Sequence, residues 1–255
     1  MTRHIARPRV LALHAPGATP DMWEEVAEAA SDMDLLTPDL LALSHAVGGR
    51  LGPMLRAISA MVPQGPVLLT GCTLGANIAH EVAALLGPRA QGVLLLAPQP
   101  ARPVTGFRDK MRQLSRLLAA DMGPDECAAW APLLVHRASR RGPAALARAE
   151  EMLRVAWGAT AVPLFQLGAE FPDASLALRR LKAPVRAVFG AEAVNPFPGP
   201  TLLPDWRKAI GAGNVDLLPD LKEWIPLEDP ALVADALRDL AGAVAVEPAR
   251  GLEVK

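Results

Sequence analysis

The sequence contains no tyrosine, and aromatic residues make up only 4% of it, so one common general acid is missing and aromatic surface is scarce. Its two cysteines, Cys72 and Cys127, are too few and too far apart for a disulfide framework or a thiolate metal site, and both read as small buried apolar groups. Basic and acidic residues nearly cancel, 26 against 27, which excludes the broad basic field of a nucleic-acid or anionic-membrane binder. No apolar run approaches the roughly 20 residues of a membrane span. The charged start, Met1 to Pro8, is followed by no apolar segment of a secretion leader, so a soluble cytoplasmic protein is expected. There is no G-x-G-x-x-G, no P-loop, and no His or carboxylate pair at metal-ligand spacing, so neither a cofactor nor a metal is expected. A small apolar ligand or a protein partner remains, and a homo-oligomer stays open.

What the sequence does contain is apolar mass: 51% of 255 residues, enough for one large buried core with a smaller insertion. Arg9 to His14 is a short apolar run ending in a Pro-Gly loop, and Asp21 to Ala29 has acids in its first turn and helical spacing of apolar residues. Further apolar runs at Pro66–Gly71, Gly92–Ala97, Val185–Gly190 and Asn214–Leu218 predict strands buried on both faces. Leu35 to Pro38 leads into a loop, with helices expected over Leu51–Val62, Leu74–Leu86 and about Pro230–Val244. Such alternation predicts an α/β fold, a doubly wound and mostly parallel sheet. Between Pro98 and Pro184 the rhythm breaks into helical patterns, Met111–Ala120 and Pro143–Trp157, with no convincing strand. Residues 1–97 and 184–246 are therefore expected to form the core, 98–183 a helical lid, and 247–255 a loose tail. From Arg102 to Lys182 there are 13 basic residues against 8 acids, a mildly basic insertion on a mildly acidic core.

Gly71-Cys72-Thr73-Leu74-Gly75 stands between a buried strand and a helix, the context of a nucleophile elbow, G-x-S-x-G, with Thr73 in the serine position. His14-Ala15-Pro16-Gly17 follows the first strand, with Trp23 shortly after. Gly190-Ala191-Glu192-Ala193 follows the strand after the insertion. Leu218 to Pro230 has the form L-P-x-x-x-E-W-x-x-x-E-x-P, with Glu223, Trp224 and Glu228 at its marked positions. By these four segments and their order over nearly the whole chain, the sequence resembles the lid-bearing α/β-hydrolase superfamily of small esterases, carbon–carbon bond hydrolases and cofactor-free lyases. The resemblance places the nucleophile at Thr73, the histidine at Glu223 and the acid at Ala193. It puts the oxyanion-binding N–H groups on Leu74 and residue 16, with His14, Ala15 and Trp224 around the pocket.

Four of those positions, Thr73, Glu223, Ala193 and Pro16, hold the wrong group. Thr73 keeps a hydroxyl, but an elbow at positive φ is strained for a β-branched residue. Glu223 needs burial before its pKa rises toward neutrality. Ala193 orients nothing, and the adjacent Glu192 is a poor substitute because a neighbouring side chain points elsewhere. Pro16 has no N–H, and the loss of one oxyanion donor costs about 3 kcal/mol of transition-state stabilisation. Cys72 should point away from the pocket, His80 reads as a packed histidine, and His45 and His136, in a loop and in the insertion, have no paired acid. The reading is a non-hydrolytic relative that binds a small apolar ligand or a protein. The alternatives are a lyase, isomerase or cyclase using Glu223 and Thr73, and a slow residual esterase.

Overall fold

The computed structural model describes residues 7–102, 106, 109, 111–113, 123–158, 161–193 and 199–246. Six parallel strands form one sheet: β1 (Arg9–Leu13), β2 (Asp34–Leu36), β3 (Val67–Cys72), β4 (Ala90–Leu96), β5 (Val185–Gly190) and β6 (Val215–Leu218). Their spatial order is β2-β1-β3-β4-β5-β6. The chain runs outward from β1 to β2, returns to β3 on the other side of β1, and then proceeds outward to β6. The strand order reverses between β1 and β3, and in open α/β sheets ligands bind at the carboxyl ends of the strands at such a point.

The central strands are apolar throughout because both faces are covered. Val10, Ala12, Leu68, Leu94 and Leu96 pack into one core, and Leu11, Leu13, Leu69, Val93 and Leu95 into the other. The helices among the described residues are α1 (Glu24–Ala29, entered through a short 3-10 turn at Pro20–Trp23), α2 (Leu40–Ala46), α3 (Leu51–Met61) and α4 (Leu74–Leu86). After β4 come α5 (Pro124–Leu134), α6 (Gly142–Ala156), α7 (Val162–Gly168) and α8 (Ala174–Leu178). Then follow α9 (Gly199–Ile210) between β5 and β6, and α10 (Ile225–Glu228) and α11 (Pro230–Val246) after β6.

The structure adds a strand to the five expected. β2 is only three residues long and lies at the sheet edge, half-exposed, so it carries no apolar run for a sequence pattern to reveal. His45, expected in a loop, is on α2, whose start is fixed by Asp39: its carboxylate accepts from the amides of Leu41 (2.9 Å) and Ala42 (3.0 Å). No strand is found between β4 and β5 among the described residues. Met111–Arg112–Gln113 are helical, but the rest of the expected Met111–Ala120 helix lies outside the described residues, as does the tail from residue 247. Helix α6 is clamped to the core beside α1 by Arg141 on Glu25 and by Arg148, which lies 2.7 Å from Glu24 and 3.8 Å from Asp21. Among the described residues no helix is long and apolar enough to cross a membrane.

Candidate functional site

The carboxyl ends of the strands converge on one rim, and the backbone is strained there. Among the described residues three non-glycine residues have positive φ, Thr73 (51°), Ala97 (44°) and Asp220 (59°), which follow β3, β4 and β6. Thr73 sits between β3 and α4 with ψ of −113°, its amide donating to the Leu96 carbonyl at 2.8 Å. Two glycines make this sharp turn physically available. A Cβ on Gly71 would lie 2.2 Å from the Gly75 carbonyl oxygen, and one on Gly75 would lie 2.3 Å from that of Leu13. Both neighbours are backbone, so neither can yield. The Thr73 side chain is buried and does not cap its helix, and its hydroxyl has no partner among the described residues. The Ala76 and Asn77 amides donate to the Thr73 carbonyl (3.1 and 3.4 Å), so the Leu74 and Gly75 amides precede the first helical bond of α4.

After β1 the chain makes a type II turn. The Ala18 amide donates to Ala15 across Pro16 and Gly17, and Gly17 takes the positive φ of 79° that the third position requires. Gly17 is also a contact point, since a Cβ there would lie 2.7 Å from the Trp157 ring and 3.3 Å from Leu153. Trp157 in turn packs on Trp130 (5.2 Å) and Phe165 (5.8 Å), so the helices between β4 and β5 set an aromatic cluster against this turn. His14 does not face that cluster as a free base. Its ring accepts from the Leu40 amide through Nε2 (2.9 Å) and donates through Nδ1 to the Ala15 carbonyl (2.9 Å). Burial lowers its pKa to about 4, so the neutral ring ties β1 to α2. His14→Ala would strand the Leu40 amide and is expected to cost about 2 kcal/mol in urea denaturation.

The loops after β5 and β6 are zipped together. The amides of Ala191 and Glu192 donate to Leu218 (2.9 Å) and Leu221 (3.0 Å), and a Cβ on Gly190 would meet the Leu221 carbonyl oxygen at 2.2 Å. Ala193 presents a buried methyl and Glu192 faces solvent. Glu223 is only 9% exposed. Its amide and that of Trp224 both donate to the Leu134 carbonyl at the end of α5 (3.1 and 3.0 Å), while the Cys72 thiol donates to the Glu223 carbonyl (3.1 Å). Trp224 itself is buried in the same core cluster as Trp23 and Met22.

A second carboxylate completes this loop. Glu228, fully buried, accepts from the amides of Lys222 (2.9 Å) and His136 (2.6 Å), and the Lys222 ammonium donates to the Pro132 carbonyl. Glu228 thus joins the loop after β6 to the end of α5. Desolvation pushes Glu223 up to about 8, with Glu228 adding repulsion, and pushes Glu228 up to about 7 against its amide donors. The Cys72 thiol is raised well above its ordinary value, first by burial and then by both glutamates. At neutral pH Glu223 therefore keeps its proton, and a carboxylic acid in that state donates a hydrogen bond and takes no proton from a hydroxyl.

The structure brings Thr73, Leu74, the 15–17 turn and the Glu223 loop to one rim, and sends the side chains of His14 and Trp224 into structural roles. His80 is 1% exposed, lies edge-on to Trp206 at 6.1 Å, and burial lowers its pKa to about 3. His136 takes part through its backbone amide, and His45 is exposed on α2. Among the described residues no three His, Cys, Asp or Glu side chains gather as a metal would require. Sequence reasoning quoted Glu228 but assigned it no role; its place in the loop motif was the available signal. Ala97 carried no signal at all.

This sheet, with its elbow after β3, defines the α/β-hydrolase fold. Among solved structures the chain is similar to an esterase from Thermogutta terrifontis (TM-score 0.72, 18% identity, 93% of this chain and 90% of that one). It is also similar to Rv0554 from Mycobacterium tuberculosis (0.73, 17%, 93% and 91%). A third similar structure is the N-acyl homoserine lactonase AidH (0.68, 14%, 96% and 92%). No protein-family model matches the sequence. No curated protein matches it either.

Proposed function

We propose that this chain is a non-hydrolytic protein built on the α/β-hydrolase fold, in which the crevice above Thr73 has become a binding site for a small, neutral, apolar ligand. The observation that carries the reading is Glu223, a buried carboxyl pushed up to about 8, where a serine-type mechanism needs a base. Around it, the orienting acid is replaced by the Ala193 methyl and one oxyanion donor by Pro16. In this reading residues 98–183 act as a lid. Trp157 against Gly17 and Gly168 against Leu74 bring its apolar side onto the core. The Glu223 carboxyl and the Thr73 hydroxyl offer hydrogen bonds to one polar atom of an otherwise apolar molecule.

Native mass spectrometry of the protein purified from its own host, followed by extraction, tests this: a neutral apolar small molecule should leave with the denatured chain. Recovery of the protein free of any ligand, together with ester turnover that requires Thr73, would contradict it.

A second reading draws on the same carboxyl. A group titrating near neutrality is suited to carry a proton, so a cofactor-free lyase, isomerase or cyclase using Glu223 with Thr73 as hydrogen-bond partner is its natural rival. Glu223→Gln separates the two. Turnover of such an enzyme is abolished, whereas ligand retention stays within about tenfold because the amide still donates.

A further inference from the structure

Gln99 stands just beyond the end of β4, and its backbone is fixed from three sides. Its amide donates to Asn77 Oδ1 on α4 (2.9 Å), and its carbonyl accepts from Trp206 Nε1 on α9 (3.0 Å). Both partners are buried. Pro98 and Pro100 restrict φ on either side of it, and Ala97, just before them, is held at the positive φ of 44° while its amide donates to Val188 (2.7 Å). The side chain is less well provided for. Its carboxamide oxygen is closed off from solvent and accepts no hydrogen bond among the described residues. A buried acceptor left in that state costs about 1–3 kcal/mol.

The place of this oxygen explains the cost. A Cβ on Gly168, at the end of α7, would stand 3.7 Å from it, 3.6 Å from Leu74 Cδ1 and 3.2 Å from Met111 Cε. The oxygen therefore lies on the seam between the 98–183 insertion and the core, against the side chains of Leu74 and Met111. Leu74 is the residue after Thr73, whose own hydroxyl is also unpartnered among the described residues, and the Thr73 amide is bonded to Leu96 at the end of β4. The unpartnered atoms of Thr70 and His80 belong instead to residues enclosed by the core. A rigidly held backbone that turns an unpaired acceptor into an apolar seam is organised for a donor that arrives from outside the chain.

Resting on the reading of the space above Thr73 as a ligand site, we propose that Gln99 determines its specificity: the carboxamide oxygen accepts a hydrogen bond from a hydroxyl group of the ligand. The ligand class then narrows to apolar alcohols. A ketone, ester or ether oxygen has no proton to give and would leave the acceptor unpaired in a dry site. An ammonium group would donate as well, but only at the cost of desolvating a charge.

Titration calorimetry of the whole protein with octanol and with its isomer heptyl methyl ether tests this. The two molecules have the same atoms and similar length, and only octanol has an O–H donor. Octanol should bind about tenfold more tightly, the worth of one buried hydrogen bond. Gln99→Met keeps the length of the side chain and the backbone bonds to Asn77 and Trp206. It should erase the preference by weakening octanol while the ether binds as before. Because it removes an unpaired acceptor, it should melt no lower than the wild type. Equal affinity of the wild type for the two isomers, a preference for octanol that survives in Gln99→Met, or a lower melting midpoint for that variant would overturn the role of Gln99 and leave the ligand site standing. Binding of neither isomer would overturn the ligand site and this role together.

Discussion

Gly75→Ala is expected to destabilise the protein by about 3 kcal/mol or more, a fall of roughly 10 °C in the melting midpoint. The added methyl would stand 2.3 Å from the Leu13 carbonyl oxygen and 2.6 Å from that of His14, both at the end of β1. A clash with a flexible side chain relaxes by a rotamer change. Here relief requires α4 to lift off the sheet, and α4 is buried on nearly every side, from Leu74 through Leu86. Lifting it would also displace Thr73 and the 14–17 turn, so under the proposed function loss of ligand retention should accompany the loss of stability. Gly242 is the contrasting case: it is exposed within α11, with open space where its Cβ would be. Gly242→Ala should stabilise by about 0.5–1 kcal/mol, because it reduces the freedom of the unfolded chain at no steric cost. Opposite signs for two glycine-to-alanine changes in one melting series would separate close packing from helix propensity.

Glu223→Gln is expected to flatten the pH dependence of stability and to raise stability at alkaline pH. In the unfolded chain a glutamate ionises near its ordinary value of 4.5, but in the folded protein Glu223 holds its proton to about 8 and Glu228 to about 7. Between those limits the folded state binds more protons than the unfolded state, so stability must fall as pH rises from about 4.5 to 8 and level off above that. Each unit of displacement is worth about 1.4 kcal/mol, which makes the total loss across the window several kcal/mol. Glutamine has the same shape and no proton to lose, so the Glu223 share of the slope should vanish while the Glu228 share, ending near pH 7, remains. Urea midpoints of both proteins measured from pH 5 to 9 read this directly; parallel curves would mean that Glu223 is ionised and solvated in the fold.

The parts of this architecture that were legible in the sequence are those set by short-range pattern. Helix α4 runs over the residues expected of it, Leu74 to Leu86, because a fully apolar strand, a glycine pair and a run of small residues mark both its start and its packing. Strands β1, β3, β4, β5 and β6 were each expected within a residue or two. β2 was not, since Asp34-Leu35-Leu36 is short and held at the edge by pairing with β1 alone. Helix α9 was not expected either; it carries Pro200 and Pro204, a residue type that disfavours a helix interior. At the rim, the order of the four segments was legible, and the electrostatics were not. The contact that ties Glu228 to His136 spans 92 residues, and the carbonyl that receives the Glu223 and Trp224 amides belongs to Leu134, in a different part of the chain. No local pattern reports that two glutamates five positions apart will share one buried pocket.

The central claim is that Thr73 no longer acts as a nucleophile. It is tested most directly by incubating the pure protein and its Thr73→Ala variant with a panel of p-nitrophenyl esters of increasing chain length. On the reading proposed here, with Glu223 protonated and Ala193 at the acid position, both proteins release p-nitrophenol at the same background rate across the panel. Turnover by the wild type that disappears in Thr73→Ala would show that the hydroxyl is activated after all, and would return the chain to the hydrolases whose fold it has.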